Sequence, residues 1–365
     1  TAAGQGGGIY ASSSNLISTN CKFTNNMAGL DGGGIWIQST NSFSNFTNCS
    51  FINNLSLKGG GGIASFEANF TNCVFSNNYA DEYFGGGILA GSNTNITNCV
   101  FTGNVAGIRG GGIGSFGLVP FTLTNCVIVE NSVAKYFLSG GGGGIYCPGS
   151  LTLINCILWK NSAHGNLGFG IFNPNEPWNS VSLQEGVEAT YPDDPNARDA
   201  VYEPNLNILQ GWDGDARAFD ADPLFVNIDN PIGPDGIWFT DDDGLRVAEG
   251  SPAIDAGHNE SLPVDVGDVD NDGNFTEIIP LDPIGYRRVQ NGTVDIGAYE
   301  FGDSMIETHQ VKTSVSPEGY GVVTDGKVSV EVGESVEISA YPKQGFLFTG
   351  WSGDANGSSN PLTIT

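Results

Sequence analysis

Basic residues are scarce in this chain. Only 13 of the 365 residues are Lys or Arg, against 40 Asp and Glu, so the formal net charge is −27 and the pI is near 4.1. A surface this acidic repels phosphates and anionic headgroups, which makes nucleic acid and anionic membranes poor candidates as partners. No hydrophobic run reaches the roughly 18 residues of a membrane span, so we expect no direct membrane insertion by this segment.

Helical periodicity is also missing. Before residue 180, no stretch repeats apolar residues at spacings of three and four over the length of a helix. Glycine contributes 54 residues, which is about twice the usual share of ~7%, and helices tolerate glycine badly. Helical repeats and leucine-rich repeats are therefore poor fits.

Two sequence markers recur instead, each with a mean spacing of 27 residues. The first begins as TNCKFTNN and places an apolar residue two positions, and an asparagine five positions, after each cysteine. The second is GGGI or a close variant, from Ile9 to Ile171. The first marker's columns consist of Cys21, Cys49, Cys73, Cys99, Cys126 and Cys156, and of Asn26, Asn54, Asn78, Asn104, Asn131 and Asn161.

This pattern predicts a parallel β-helix. Cysteine and the apolar residue two positions later point to the same face of a strand. A coil of 27 residues holds several short strands, and successive coils stack at about 4.8 Å. Glycine allows positive φ at a bend and close approach of neighbouring coils.

Each column has a predicted structural role. We expect the asparagines to lie at one corner, where they adopt the left-handed conformation and hydrogen-bond to their equivalents in adjacent coils. The cysteines are predicted to be small inward-facing hydrophobes. Disulfides within a column are disfavoured by parallel Cβ vectors, and a metal column by the lack of paired C-x-x-C spacing. Cys147 is outside the register, which predicts a surface or turn position.

Composition divides the chain into three parts. Residues 1–172 form the regular coils, about seven in number. Residues 173–303 lose the glycine runs and gain Pro and Asp, which predicts irregular coils and an acidic, loop-rich capping region. Residues 307–365 alternate like the strands of a small antiparallel β domain. That domain stops at NPLTIT, short of a final strand, and the chain opens within a repeat, so we expect part of a longer polypeptide.

The sharpest chemical motif is DVGDVDNDGNFTE at residues 265–277. Alternate acidic residues followed by a glycine turn can wrap one hard cation, as in the first half of an EF-hand loop. The match is partial, because the twelfth loop position is Ile279. The sequence predicts a structural Ca²⁺ site, with a solvated acidic turn as the alternative. The candidate ligands are Asp268, Asp270 and Asp272, completed by Asp265, Asn274 or Glu277.

A second acidic run is DNPIGPDGIWFTDDDG. Its carboxylates converge if the loop folds back on itself, which predicts a second Ca²⁺ site. Acidic residues packed this closely repel each other unless a cation or solvent relieves them. The candidate ligands are Asp229, Asp235, Asp241, Asp242 and Asp243.

No catalytic set emerges from the sequence, and we assign no catalytic residue. A β-helix lyase needs a basic residue beside a carboxylate-bound Ca²⁺. The repeats offer no basic ladder, and we expect Arg246, Arg287 and Arg288 to form salt bridges. A carbohydrate-active β-helix, either lyase-like or a glycan-binding module, remains the alternative. For glycan binding, the aromatic candidates are Trp178, Trp212 and Trp238, and the alternative role for these residues is packing within the capping region.

The TNCxFxxN and GGGI repeats resemble those of the polymorphic outer-membrane protein type of right-handed parallel β-helix. The stretch from NILQGWDGDARAFDADPLF to GTVDIGAYEF is similar to the C-terminal end of large secreted bacterial β-helix proteins. Residues 307–365, with GFLFTGWSGD and SSNPLTIT, resemble a divergent internalin-B-type B-repeat. These resemblances imply an all-β chain: a right-handed parallel β-solenoid followed by a small antiparallel domain.

The resemblances also imply export and display at the cell surface, commonly in adhesion or as stalk modules. Because the sequence also shows no recognisable catalytic set, the resemblances predict a non-catalytic structural or adhesive module. Its expected partners are other surface proteins, glycans or copies of itself. Calcium is expected to rigidify the acidic loops.

Overall fold

A computed structural model gives the fold. It describes residues 2–12, 15–38, 43–91, 94–116, 121–135, 141–148, 151–163, 171–172, 181–182, 207–209, 220–302, 308–324, 327–331 and 335–364. These residues form an all-β structure without an α-helix; the one helical element among them is a 3₁₀ turn at Asn259–Ser261. The predicted fold class is confirmed as a parallel β-solenoid followed by a small antiparallel region.

The solenoid consists of four parallel sheets, visited in the same order by each coil. Sheet I contains β1 (Ile9–Ser12), β5 (Ile35–Gln38), β9 (Ile63–Ser65), β13 (Ile88–Ala90), β17 (Ile113–Ser115), β21 (Ile145–Tyr146) and β24 (Ile171–Phe172). Sheet II contains β2 (Ile17–Thr19), β6 (Ser44–Thr47), β10 (Ala68–Thr71), β14 (Thr94–Thr97), β18 (Phe121–Thr124), β22 (Leu151–Ile154) and β25 (Val181–Ser182). The isoleucines of GGGI thus begin the strands of sheet I.

Sheet III contains β3 (Lys22–Thr24), β7 (Ser50–Ile52), β11 (Val74–Ser76), β15 (Val100–Thr102), β19 (Val127–Val129), β23 (Ile157–Trp159) and β26 (Ile208–Leu209). Sheet IV contains β4 (Met27–Ala28), β8 (Leu55–Ser56), β12 (Tyr79–Ala80), β16 (Val105–Ala106) and β20 (Ser132–Val133). Since sheet IV has five strands, the described residues complete about five full turns rather than the seven predicted. Within the described residues, two further turns contribute strands to sheets I, II and III, and sheet IV continues as an isolated bridge from Ser132 to Ser162.

Stacked side chains fill the interior. The apolar residues two positions after each cysteine form a column, in which the rings of Phe51, Phe75 and Phe101 stack at centroid distances of 4.7 Å. Cysteines from Cys49 to Cys156 are buried beside them, and all seven cysteines of the chain are free. Burial raises the pKa of the Cys99 thiol, which keeps it an uncharged packing group.

Cys147 differs from its prediction. It is 1% exposed and belongs to the same core cluster as the cysteine column. It follows β21 directly, so its side chain faces inward two positions after the buried Ile145. The prediction of a surface or turn position was therefore wrong, because the strand alternation of sheet I extends one residue further.

The asparagines five positions after each cysteine form a buried ladder. The Nδ2 atom of Asn54 donates to Oδ1 of Asn78 at 3.0 Å, and Nδ2 of Asn78 donates to Oδ1 of Asn104 at 2.9 Å. Each Oδ1 also accepts the backbone N–H of the preceding ladder residue, and each Nδ2 reaches a carbonyl such as that of Phe51 at 2.8 Å. All polar atoms of a buried amide are thereby paired, as burial requires.

The left-handed conformation lies on other asparagines than predicted. The residues with positive φ occupy the positions one before and four after each cysteine, such as Asn48 (φ 53°) and Asn53 (φ 54°). The ladder asparagine follows immediately and points inward. The two turn asparagines flank sheet III, and their tolerance of positive φ lets the chain bend at both corners.

The glycine corner joins sheet IV to sheet I. Gly32 has a φ of 71°, which favours glycine. Gly33 needs glycine for a different reason: a Cβ there would lie 2.2 Å from the carbonyl oxygen of Gly61 in the next coil. Both predicted roles of the glycine run are therefore present at one corner.

Three antiparallel strand pairs form the C-terminal region. In each pair the two strands are separated along the chain by at least one other strand, so the pairing links parts of the region that are not adjacent in sequence. The pairs are β27 (Thr308–Lys312) with β29 (Lys327–Glu331), β28 (Gly321–Val323) with β31 (Ala340–Pro342), and β30 (Val336–Ile338) with β32 (Leu362–Ile364).

Candidate metal site and the segment that carries it

Residues 220–302, here named the lateral segment, do not continue the stack of coils. The sequence predicted irregular coils across 173–303, but within that range β25 and β26 are the described strands that extend the solenoid. The lateral segment lies against the outer face of sheet III. The lateral segment adds no described strand to the four sheets, and it covers the apolar outer face of sheet III.

An apolar stripe on the solenoid receives the lateral segment. The first residues of four successive strands of sheet III, Val74, Val100, Val127 and Ile157, are each at most 1% exposed. Their cover comes from Trp238, Leu245, Val247, Ala253, Ile296, Ala298 and Tyr299. Burying a Val or Ile side chain contributes about 1.5–3 kcal/mol, so the stripe accounts for much of the docking energy.

The sequence carries a signal for this cover that was missed. The position after each cysteine is polar in the first two coils, at Lys22 and Ser50, and apolar from Val74 onward. In a strand with alternating faces, apolar residues on both sides indicate burial on both sides. The switch at Val74 marks where the apolar stripe under the lateral segment begins.

Polar contacts also fix the lateral segment, at the corner between sheets II and III. The side chain of Asn98 donates to the carbonyl oxygen of Leu281 at 3.0 Å. The backbone N–H of His258 donates to Oδ1 of Asn155 at 2.8 Å, and the N–H of Gly297 donates to the carbonyl oxygen of Asn155 at 2.8 Å. These asparagines are the turn residues that precede the cysteines, so the corner serves both the bend and the docking.

Arg288 is the buried centre of the lateral segment. Its side chain is 0% exposed, its Nε lies 3.3 Å from Oε1 of Glu300, and its NH1 donates to the carbonyl oxygen of Ala298 at 2.7 Å. The predicted salt bridging of Arg246 is also present, with 3.5 Å between its NH1 and Oδ1 of Asp241. These contacts are structural, because the guanidinium groups of Arg288 and Arg246 bind carboxylate and carbonyl oxygens of the lateral segment itself.

Two buried carboxyl groups accompany this centre. Burial raises the pKa of Asp282 to about 6, although its oxygens accept four backbone N–H groups, including those of Tyr286 and Glu300. Burial likewise raises the pKa of Asp243 to about 7. The Oδ2 atom of Asp243 accepts from the hydroxyl of Tyr299 at 2.8 Å, while its Oδ1 has no partner among the described residues.

The acidic loop at 265–277 brings most of its predicted ligands together. Carboxylate oxygens of Asp265, Asp270 and Glu277 lie within 4.8 Å of one another, as do those of Asp268, Asp270 and Asp272. Asp270 belongs to both groups, so the two form one continuous cluster. Oxygen donors at this separation suit a hard divalent cation.

Local turns build the cluster. Oδ1 of Asp268 accepts the N–H of Gly273 at 3.1 Å, and Gly273 has a φ of 87°. The buried Asp265 accepts the N–H of Val269 at 2.8 Å and holds the loop in place. Asn274 stays in its own turn, since its Oδ1 accepts both the N–H and the hydroxyl of Thr276.

The electrostatics of the cluster fit a cation. Burial raises the pKa of Asp265, Asp270 and Glu277, and neighbouring carboxylates raise it further. The Oε1 atom of Glu277 is buried and has no hydrogen-bond partner among the described residues. A divalent ion would satisfy that oxygen and remove the mutual repulsion.

The second predicted cluster does not form. Among the described residues, no three carboxylates from Asp229, Asp235, Asp241, Asp242 and Asp243 come within coordination distance. Backbone and side-chain donors engage them separately: Oδ2 of Asp242 accepts the N–H of Asp235 at 3.0 Å, and Oδ1 of Asp241 accepts from Tyr286 at 2.6 Å. These hydrogen bonds hold the carboxylates apart, and the second metal site stays a prediction.

The tryptophans predicted as sugar platforms do not form one within the described part of the chain. Trp238 is 9% exposed and packs in the apolar cluster beneath the lateral segment. Trp178 and Trp212 lie outside the described residues. Cap packing, the alternative use of Trp238, is the role that the structure shows.

Comparison with known proteins identifies one part of the chain. Residues 311–365 match the family model of the divergent InlB B-repeat domain, which covers the C-terminal strand pairs from β28 onward. The searches of curated proteins and of solved structures returned no match. No helix among the described residues is long and apolar enough to cross a membrane.

Proposed function

We propose that this protein is a non-catalytic structural or adhesive module of a secreted or cell-surface protein. In this proposal the solenoid is a stiff stalk or fibre component that sets distance. The B-repeat domain joins it to the next module or to a partner, which is another surface protein, a glycan or a further copy. The carrying observation is the unbroken asparagine ladder from Asn26 to Asn161, which couples every coil to the next.

The B-repeat match supports the location. Such domains are typical of bacterial surface proteins. The likeness of the repeats to the polymorphic outer-membrane protein type points the same way and belongs to the proposal. The acidic surface, with a net charge of −27, suits a protein kept soluble in an external medium.

Stiffness is the property to test first. A solenoid distributes load over ladders that recur every coil, and each coil contacts mainly its neighbours. Single-molecule force measurements on the full chain should show a rod without a low-force hinge, then lengthening in steps of one coil of about 27 residues. Extension at low force with no step pattern would contradict a stalk function.

Calcium binding at 265–277 is the second part of the proposal. A cation that binds only the folded state stabilises it, by about 2.7 kcal/mol at a hundredfold excess over Kd. We expect millimolar Ca²⁺ to raise the Tm of the lateral segment and to titrate with a stoichiometry of one by calorimetry.

Matched variants separate the site from general charge screening. Asp270→Asn removes a carboxylate shared by both groups of the cluster and should abolish the Ca²⁺-dependent rise in Tm. Glu249→Gln changes the charge equally at an exposed position outside both acidic loops and should keep it. An equal Ca²⁺-dependent change in Tm for the two variants, or no change in Tm for the native chain, would contradict the calcium proposal. Neither result would affect the proposal of a stalk.

A further inference from the structure

A groove lies between the lateral segment and the corner of the first coils. It has a volume of about 340 Å³ and is bounded on one side by the turn asparagines Asn20, Asn48 and Asn72. The opposite wall includes Phe239, Leu281 and Ile284. This volume is within the range of small-ligand sites, about 300–1,000 Å³.

The turn asparagines that precede the cysteines hydrogen-bond to one another in the later coils but not in the first coils, where they line the groove. In the later coils their side chains form a ladder, with Asn155 donating to Asn125, Asn125 to Asn98 and Asn98 to Asn72. The ladder stops there, because Nδ2 of Asn72 and the side chains of Asn48 and Asn20 make no hydrogen bond to another described residue. Three neighbouring amides thus present unused donors and acceptors to the groove.

The groove is open at one end and closed at the other. Asn20 is exposed, Asn48 is half-buried and Asn72 is 3% exposed. The closed end is where Asn98 donates to the carbonyl oxygen of Leu281 and the lateral segment meets the corner. A chain-like ligand can therefore enter from the side of the first coil and end at Asn72.

Phe239 is held in the groove wall in an unfavourable conformation. Its φ is 65°, which is rare for a bulky residue. The carboxylate of Asp243 fixes it by accepting its N–H at 2.8 Å. Strain of this kind concentrates at ligand sites, and it places an aromatic ring opposite the free amides.

The chemistry of the groove favours an uncharged ligand with many hydroxyl groups. Among the described residues that line the groove, none is Lys, Arg or His and one is acidic, Asp282, whose oxygens already accept backbone N–H groups. Amides recognise hydroxyls as both donor and acceptor, and the apolar wall suits the C–H face of a pyranose ring.

The spacing of the amides distinguishes two ligand classes. Stacked coils place them about 4.8 Å apart, whereas an extended peptide along the same axis repeats one side every two residues, about 6.7 Å. A chain of hexopyranose rings advances by nearly one coil spacing per ring. We propose that this groove binds a neutral saccharide chain, a binding role that goes beyond the stalk function.

Two double variants test the proposal. Asn20→Gly with Asn48→Gly removes two groove amides at positions where glycine keeps the positive φ of 55° and 53°. Asn25→Gly with Asn53→Gly makes the same change in the same coils at the other corner, where φ is 55° and 54° and the side chains are exposed. The second variant is the control for stability.

The probes are cellohexaose, chitohexaose, xylohexaose and mannohexaose, titrated by calorimetry into the full chain with calcium and again with a chelator. With calcium we expect at least one probe to bind, with affinity about tenfold weaker in the groove variant and unchanged in the control. With the chelator we expect weaker binding, because Val269 of the groove wall lies between the candidate metal ligands Asp268 and Asp270. No binding of any probe, or equal loss in both variants, overturns the proposal. Groove-dependent binding of extended peptides instead would overturn the saccharide assignment.

Discussion

In the solenoid, Asn78 repeats a contact that Asn54 and Asn104 also make, whereas in the lateral segment Arg288 makes contacts that occur once. The coils therefore share their stabilising interactions, and each ladder position is supported from two sides. The lateral segment concentrates its stability in one buried ion pair and a few buried carboxyls. Because its contacts repeat, the solenoid is uniform in stability and can be predicted from the sequence. Because its contacts occur once, the lateral segment is sensitive to a single substitution or to pH.

The largest expected effect is in the lateral segment, from Arg288→Leu. It leaves Glu300 buried without its partner, and breaking such a pair typically costs about 3–5 kcal/mol. Hydrogen exchange should show loss of protection across 220–302 and little change in the coils. Replacing both partners, with Glu300→Gln added, should recover part of the loss. Equal destabilisation of the coils would contradict the separation of the two regions.

The next effect is in the solenoid, from Asn78→Ala. The substitution leaves the N–H and Nδ2 of Asn54 without their acceptor, at an expected cost of about 3 kcal/mol. Chemical denaturation should report the loss. Asn77→Gly is the control, since Asn77 is exposed and glycine keeps its φ of 54°; it should change the stability by only a few tenths of a kcal/mol.

A smaller effect, from pH, distinguishes the two regions without substitution. The folded-state pKa values of Asp243 (about 7) and Asp282 (about 6) are raised above their ordinary value. The stability that their neutral forms provide is full below about pH 4 and is lost as the pH rises through 6 and 7.

We therefore expect the lateral segment to be less stable at pH 6 than at pH 5, by about 2 kcal/mol, and less stable again at pH 8, with the coils changing less. Thermal melts across this range measure the difference. Asp243→Asn keeps the shape of the side chain and removes its titration, so its profile should be flatter. A variant profile as steep as the native one would remove Asp243 from the explanation.

The solenoid was predictable because its signals repeat. Cysteine, phenylalanine and asparagine recur with one period, so the column that contains Asn78 could be assigned from six examples at once. The left-handed conformation was assigned to the wrong asparagine. The turn residue and the ladder residue are the two neighbouring asparagines of the NN pair, and both recur with the same period, so periodicity cannot tell them apart. Hydrogen-bond geometry separates them in the structure, where Asn77 turns and Asn78 points inward.

The candidate site was predictable only within one loop. The alternation of Asp268, Asp270 and Asp272 indicated one cluster, because those residues are close along the chain. The positions of the acidic residues from Asp229 to Asp243 could not be predicted in this way. Their carboxylates are held by hydrogen bonds from partners such as Tyr286 and Tyr299, which are distant in sequence. The docking of the lateral segment also depends on long-range packing, and the switch from Ser50 to Val74 was its one local sign.

We propose that repeated ladders hold the solenoid independently of any metal, whereas the lateral segment depends on single contacts and a cation. Hydrogen exchange measured by mass spectrometry, with Ca²⁺ and with a chelator, tests this most directly. We predict slow exchange of the β7, β11 and β15 amides in both buffers, and of residues 265–277 only with Ca²⁺. Equal exchange rates in the coils and the acidic loop, unchanged by Ca²⁺, would contradict the claim.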